Sequence, residues 1–154
     1  MQIRYEQDVV AWANEQAKLL REGRTEALDL EHLAEEIEAM SASEKRELKN
    51  RFAVLLQHLL KWEFQPDHRT RSWEATMLEQ RTAINGVLAD SPSLRSALVD
   101  SFVEAYPSAV RFAAKETGLE KHVFPKACRY TLDEALTEDW LPSDVGKMGS
   151  DTIN

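Results

Sequence analysis

The sequence predicts an all-α fold, a compact bundle of five to six helices, and three observations carry that prediction. Apolar residues recur at about 100° of rotation per residue along most of the chain. No segment alternates apolar and polar residues as a half-buried strand does. Gly and Pro number five each and fall mainly between the periodic stretches, where they act as punctuation. With 154 residues, the chain is long enough to bury a sizeable core without disulfides or structural metal. We expect a single helical domain over residues 1–142 and a flexible C-terminal tail, rich in Gly and Ser, over 143–154.

Taken in order, the first helix spans about Asp8 to Glu22, with Val9, Trp12, Ala13, Leu19 and Leu20 to one side and Gly23 as its stop. Asp29 is the expected N-cap of a second, in which Leu30, Leu33, Ala34, Ile37 and Met40 face inward. Ser41 and Glu44 have the spacing of a capping box and predict a new helix running to about Phe64. Leu48, Phe52, Leu55, Leu56, Leu59 and Trp62 form its stripe. Pro66 starts a turn. A fourth helix covers about Ser72 to Ala89 with Trp73, Met77, Ile84, Val87 and Leu88 inward. Ser91-Pro92 opens a fifth segment that runs to Thr117 and stops at Gly118. Pro107 removes one of its hydrogen bonds, so a kink or break is expected near Tyr106. Thr131 and Glu134 predict a capped last helix.

Charge and cysteine content narrow the function classes. Nineteen basic against 27 acidic side chains give a net charge of −8, which opposes binding to phosphate backbones. The charge is uneven: residues 1–44 hold 4 basic and 11 acidic side chains, residues 45–81 hold 8 and 5, and residues 82–154 hold 7 and 11. Only the middle is basic. One cysteine, Cys128, rules out an internal disulfide and a multi-cysteine zinc site. The start has no apolar leader and the longest apolar run is Phe52 to Leu56, far short of the roughly 18 residues that span a bilayer. A soluble cytoplasmic protein is expected, with no membrane contact and no nucleic acid.

No nucleotide-binding glycine motif, HExxH zinc motif, GxSxG elbow or calcium loop is present. The residues that draw attention are polar ones where the helical period calls for apolar ones. Gln16 and Gln80 each fall in the middle of an apolar stripe, and a buried amide needs partners. His32 and Glu36 are one helical turn apart with Glu35 and Glu38 beside them, a spacing that can hold a divalent metal. On the helical wheel His32, Glu35 and Glu38 face solvent, while Glu36 lies at the stripe's edge and His58 at the border of the next stripe. Gln16, Glu36, His58 and Gln80 are therefore candidates for an internal polar site, with Glu36 and His58 the weak metal candidates. Lys61, Arg69 and Arg71 interleave with Trp62 and Trp73 around Pro66, a candidate anion or interface patch in which cation-π support of the loop is the plainer role. Arg129 beside Cys128 could lower the thiol's pKa modestly, but nothing marks a nucleophile.

Several short stretches then read together: Tyr5 to Trp12, Gln16-Ala17-Lys18-Leu19-Leu20-Arg21, Leu28 to Glu38, His58-Leu59-Leu60-Lys61-Trp62, Arg71-Ser72-Trp73, Glu79-Gln80-Arg81, Asp90 to Leu94, Tyr130-Thr131-Leu132 and Trp140-Leu141-Pro142. In this order and at these separations, over about residues 5–142, the chain resembles the bacterial family called domain of unknown function 29. The resemblance implies a small all-α fold and no assigned activity, and it carries over no catalytic residue. It draws attention to Glu35, Glu36, His58, Trp62, Trp73, Gln80 and Arg81. Ser41, where the family leads us to expect Gly, and Pro107 are departures.

The leading expectation is a non-enzymatic helical module that binds another protein or a second copy of itself, without a cofactor. Four tryptophans in so short a chain favour it, since Trp anchors interfaces. The alternative is a small-ligand or divalent-metal site among Gln16, Glu36, His58, Gln80 and Arg81, the last drawn in by the resemblance, with hydrolysis as the chemistry it would serve.

Overall fold

The computed structural model describes residues 3–143, and among them every regular element is helical. Five α-helices follow one another: α1 (Val9–Arg21), α2 (Leu30–Phe64), α3 (Arg71–Asp90), α4 (Leu98–Thr117) and α5 (Leu132–Leu136). Short 3-10 segments at Thr25–Ala27, Pro66–His68, Pro92–Ala97 and Lys121–Val123 make the connections. The expected tail lies, from residue 144 onward, outside the described residues. No described helix is long and apolar enough to cross a membrane.

Local chemistry sets most boundaries where the sequence puts them. Asp8 caps α1 by accepting from the Ala11 N–H, and Gly23 leaves the helix at φ +68, a conformation that costs an L side chain but not glycine. Thr70 caps α3 through the Trp73 N–H. Gly118 ends α4 at φ +75. At α5 both halves of the capping box form: Thr131 Oγ1 accepts from Glu134 N, and Glu134 Oε1 accepts from Thr131 N.

Two boundaries differ from expectation. α2 is one helix of 35 residues and does not restart at Ser41. A Ser and a Glu three apart cap a helix only where the chain enters from an extended residue, and here Ala39 to Glu44 contains no Gly or Pro to break the preceding helix. Pro107 lies inside α4, which continues through it from Leu98 to Thr117. The carbonyl that loses its donor is that of Val103, an exposed residue, so water can take the place of the missing N–H.

The contacts group the chain into two units, Met1–Ser43 and Glu44–Asn154. In the second, α2 supplies Leu48, Phe52, Leu55, Leu56, Leu59 and Leu60, all essentially inaccessible, to a core shared with Met77 and Ile84 of α3 and Phe102, Ala105 and Ala109 of α4. Phe52 meets Phe102 edge to face at 5.6 Å between ring centroids. Phe64 meets Phe124 in the same way at 5.2 Å. Burying side chains of this size stabilises by about 1.5–3 kcal/mol each, which makes this seam the second unit's main source of stability.

The first unit is built differently. Only Trp12, Gln16 and Leu19 are buried among its described residues. Val9 and Leu20 of α1, expected inward, are about half exposed. With so little apolar interior, its α1 and the start of α2 must be held by other means.

Candidate functional site

Those means are a polar and aromatic cluster around Asp29. The residue sits just before α2, and its backbone N–H donates to Gln16 Oε1 at 2.8 Å. Its side chain accepts from three donors: Trp12 Nε1 at 3.0 Å, the His32 backbone N–H at 3.4 Å and His32 Nδ1 at 2.8 Å. The spacing explains the last two, because a residue preceding a helix by one and a residue three further on share one face of its first turn. Burial pushes the Asp29 carboxyl up, but the hydrogen bonds from His32 and Trp12 outweigh it and hold the group below its ordinary range.

His32 is a bridge. Its ring stacks on Tyr5 at 4.3 Å with 19° between planes, and Nε2 lies 3.2 Å from Glu6 Oε1. Tyr5 in turn donates its hydroxyl to Glu36 and meets Trp12 edge to face at 4.9 Å. Both ring nitrogens of His32 thus face carboxylate oxygens. A carboxylate accepts and does not donate, so both contacts are hydrogen bonds only when both nitrogens carry protons. The Asp29 hydrogen bond raises the His32 pKa, burial works against it, and the charges of Asp29, Glu6 and Glu35 add to the rise.

The pH dependence follows with a definite sign. A histidine whose folded pKa is raised contributes stability fully below its ordinary value near 6.5 and loses it as pH rises through the folded value. Asp29, whose pKa is lowered, contributes above about 4 and loses its share as pH falls. Tyr5 and Glu6 are therefore expected to be held most firmly between about pH 4 and 6.5 and to loosen above that window. Following the Tyr5 and His32 ring protons by NMR checks this, and line positions independent of pH through the neutral range would contradict it.

The cluster borders an open cleft of about 780 Å³ lined by residues 3–6 and 28–32. Gln16 Oε1 is committed to Asp29 N, which leaves Gln16 Nε2 buried without a partner. Among the described residues no group of three His, Cys, Asp or Glu side chains is arranged to hold a metal ion.

The five residues of the candidate internal polar site divide between the units, and among the described residues no hydrogen bond joins any two of them. Gln16 is bonded to Asp29 and Glu36 to Tyr5, in the first unit. In the second, His58 Nδ1 lies 2.8 Å from the Val54 carbonyl, and burial lowers the ring's pKa. Gln80 Oε1 accepts from Arg51 at 3.5 Å. Arg81, 4% exposed, donates Nε to Ala135 O at 2.7 Å and a terminal nitrogen to Trp140 O at 2.8 Å. The burial of both glutamines agrees with their mid-stripe positions.

The cation and tryptophan patch is engaged with the second unit itself. Lys61 is buried, pairs with Glu116 at 2.5 Å and lies over the Trp73 ring at 4.5 Å. Arg69 lies over Trp62 at 5.0 Å and donates to the Trp62 carbonyl at 2.8 Å. Arg71, at the start of α3, is exposed. Cys128 is half-buried, as suits a packing residue, and burial raises its pKa despite the neighbouring Arg129.

The largest correction concerns the face of α2 in the first unit. His32, expected in solvent, belongs to the half-buried cluster, while Leu30, Ile37 and Met40, expected inward, are 69%, 62% and 65% exposed. Sequence reasoning took Leu30, Ala34 and Ile37 for a core stripe because their spacing is that of one. The inward face instead carries His32, Leu33 and Glu36, and the Asp29-x-x-His32 spacing was the available signal, since it places a carboxylate against an imidazole at a helix start.

No curated protein and no solved structure matches the chain. The family described as Domain of unknown function DUF29 matches residues 4–141, a span that takes in the whole Asp29 cluster and all five helices. With nearly every described residue inside that match, the chain belongs to the DUF29 family.

Proposed function

We propose that the chain is a non-enzymatic protein-interaction module of the bacterial cytoplasm and that its first unit carries the binding face. The observation that supports this is the exposed apolar row on α2: Leu30, Ala34 and Ile37 lie within about 60° of one another on the helical wheel, with Met40 beside them. Large exposed apolar groups in a row mark surfaces that another molecule covers, whereas scattered ones do not. The Asp29 cluster serves this function by fixing α1 against the opposite side of α2, so that the row stands on a braced helix. The acidic composition and single cysteine suit a cytoplasmic setting.

Replacing Ile37 and Met40 with Asp tests the reading. Both side chains are mostly exposed, so helix content should stay as in the parent chain, while a purified partner that binds the parent should be lost. A double variant that keeps its partner refutes the proposal. A second reading, a small-ligand site, draws on the cleft that Arg4, Tyr5, Asp29 and His32 help to line. A thermal shift given by a small ligand and abolished by Arg4→Ala, a change in the cleft's own lining, would favour it.

A further inference from the structure

The exposed row also specifies the chemistry of what covers it. Glu31, Glu35 and Glu38 are all exposed, and at about 100° per residue they fall at about 80–140° from Leu30, along one edge of the row. The other edge is Leu33 and Met40, adjoining the Asp29 cluster. The face is therefore apolar along its centre and acidic on one side only. Residues 1–44 as a whole hold 11 acidic against 4 basic side chains.

Resting on the interaction reading above, we propose that this face binds an amphipathic helix of another protein whose apolar stripe carries Lys or Arg along one edge. Three arguments select that occupant. From Leu30 to Ser41 the row is about 16 Å long, three turns of helix, so a helix laid along it meets it at i, i+3, i+4 and i+7. An acidic edge facing a basic one adds favourable charge and fixes which way round the partner lies. A second copy of this chain offers no basic edge: laid antiparallel it sets Glu31, Glu35 and Glu38 beside their own counterparts, which is repulsive, and laid parallel it sets them against Leu33 and Met40, which leaves them without a charge partner. The row is also too short for the roughly 1,200 Å² or more that stable interfaces bury, so the complex belongs to the transient class.

The test uses the full chain and two synthetic helical peptides of about 14 residues, long enough to cover three turns. Both carry the same Leu stripe; one has Lys along one flank, the other Glu. Fluorescence anisotropy should give micromolar binding of the Lys peptide and binding about tenfold or more weaker for the Glu peptide. Raising salt from about 50 to about 200 mM should weaken the Lys peptide several-fold. Ile37→Asp should cost it about tenfold or more, since a buried charge replaces an apolar contact. Equal affinity for the two peptides overturns the proposal. So does Lys-peptide binding that survives Ile37→Asp, which would mean unspecific attraction to an acidic protein. Self-association by sedimentation that Ile37→Asp abolishes would assign the face to a second copy instead. If a protein partner is lost on changing Ile37 and Met40 yet presents a neutral or acidic helix, the inference about partner chemistry fails while the interaction module stands. If no protein partner exists, both fail.

Discussion

Replacing Arg81 with Met is expected to destabilise the second unit by about 3–5 kcal/mol, because two charge-assisted hydrogen bonds worth about 1.5–3 kcal/mol each are lost together. Arg81 is 4% exposed, and its two acceptors, Ala135 O and Trp140 O, sit on the segment that closes the described chain. Ala135 lies in α5, only five residues long, whose last carbonyls have no partner within the helix. A cation at that end satisfies one of them and suits the local negative dipole. The Met side chain fills similar volume but donates nothing. A thermal melt should fall by about 10 °C or more. Proteolysis should cut first between Thr131 and Trp140, whose ring otherwise packs edge to face on Tyr130 at 5.7 Å. Arg81→Lys keeps the charge and one of the two bonds, so it should fall between. A Met variant that melts with the parent chain would show that the segment is held by its apolar contacts alone.

The second large effect is expected at Trp12. It is 2% exposed, contributes its Nε1 donor to Asp29, meets Tyr5 edge to face, and is the largest of the three buried side chains among the first unit's described residues. Trp→Ala at a buried site costs about 3–5 kcal/mol. A unit of 43 residues, Met1–Ser43, is close to the size below which a chain rarely supports its own core, so that loss exceeds what the rest of the cluster can offset. The expected result is selective: amide exchange speeds up in α1 and the first turns of α2 while the amides around Leu56 and Ile84 stay protected. Protection lost throughout both units would mean that they do not unfold separately. Protection unchanged in α1 would mean that the Asp29 cluster is not what holds it.

These two sites also show what the sequence makes legible. The second unit follows its pattern closely, since Leu48, Phe52, Leu55, Leu56 and Leu59 recur at helical spacing and are all buried. Hydrophobic period reports burial well when the driving force is apolar area. It fails at the start of α2 in the first unit, where a buried Gln, an Asp and a His help Trp12 and Leu19 do the work of a core while Leu30, Ala34 and Ile37, which have core spacing, lie outside. Nothing in the period of Leu30, Ala34 and Ile37 says whether the chain itself or another molecule covers them. The family resemblance draws attention to Arg81, but its acceptors are carbonyls more than 50 residues away, and backbone acceptors leave no mark in a sequence. The single helix α2 was hidden by a capping pattern at Ser41 that is compatible with a helix interior as well as with a helix start.

If the first unit exists to present α2, the contact should be found at Ile37 itself. A photoreactive residue placed at Ile37 in cells, with the same residue at the exposed Glu104 of α4 as control, tests this most directly. The account predicts a crosslink at Ile37, absent at Glu104, whose partner segment is an amphipathic helix with Lys or Arg along one edge. Monomer alone at Ile37, or the same products from both positions, would contradict it.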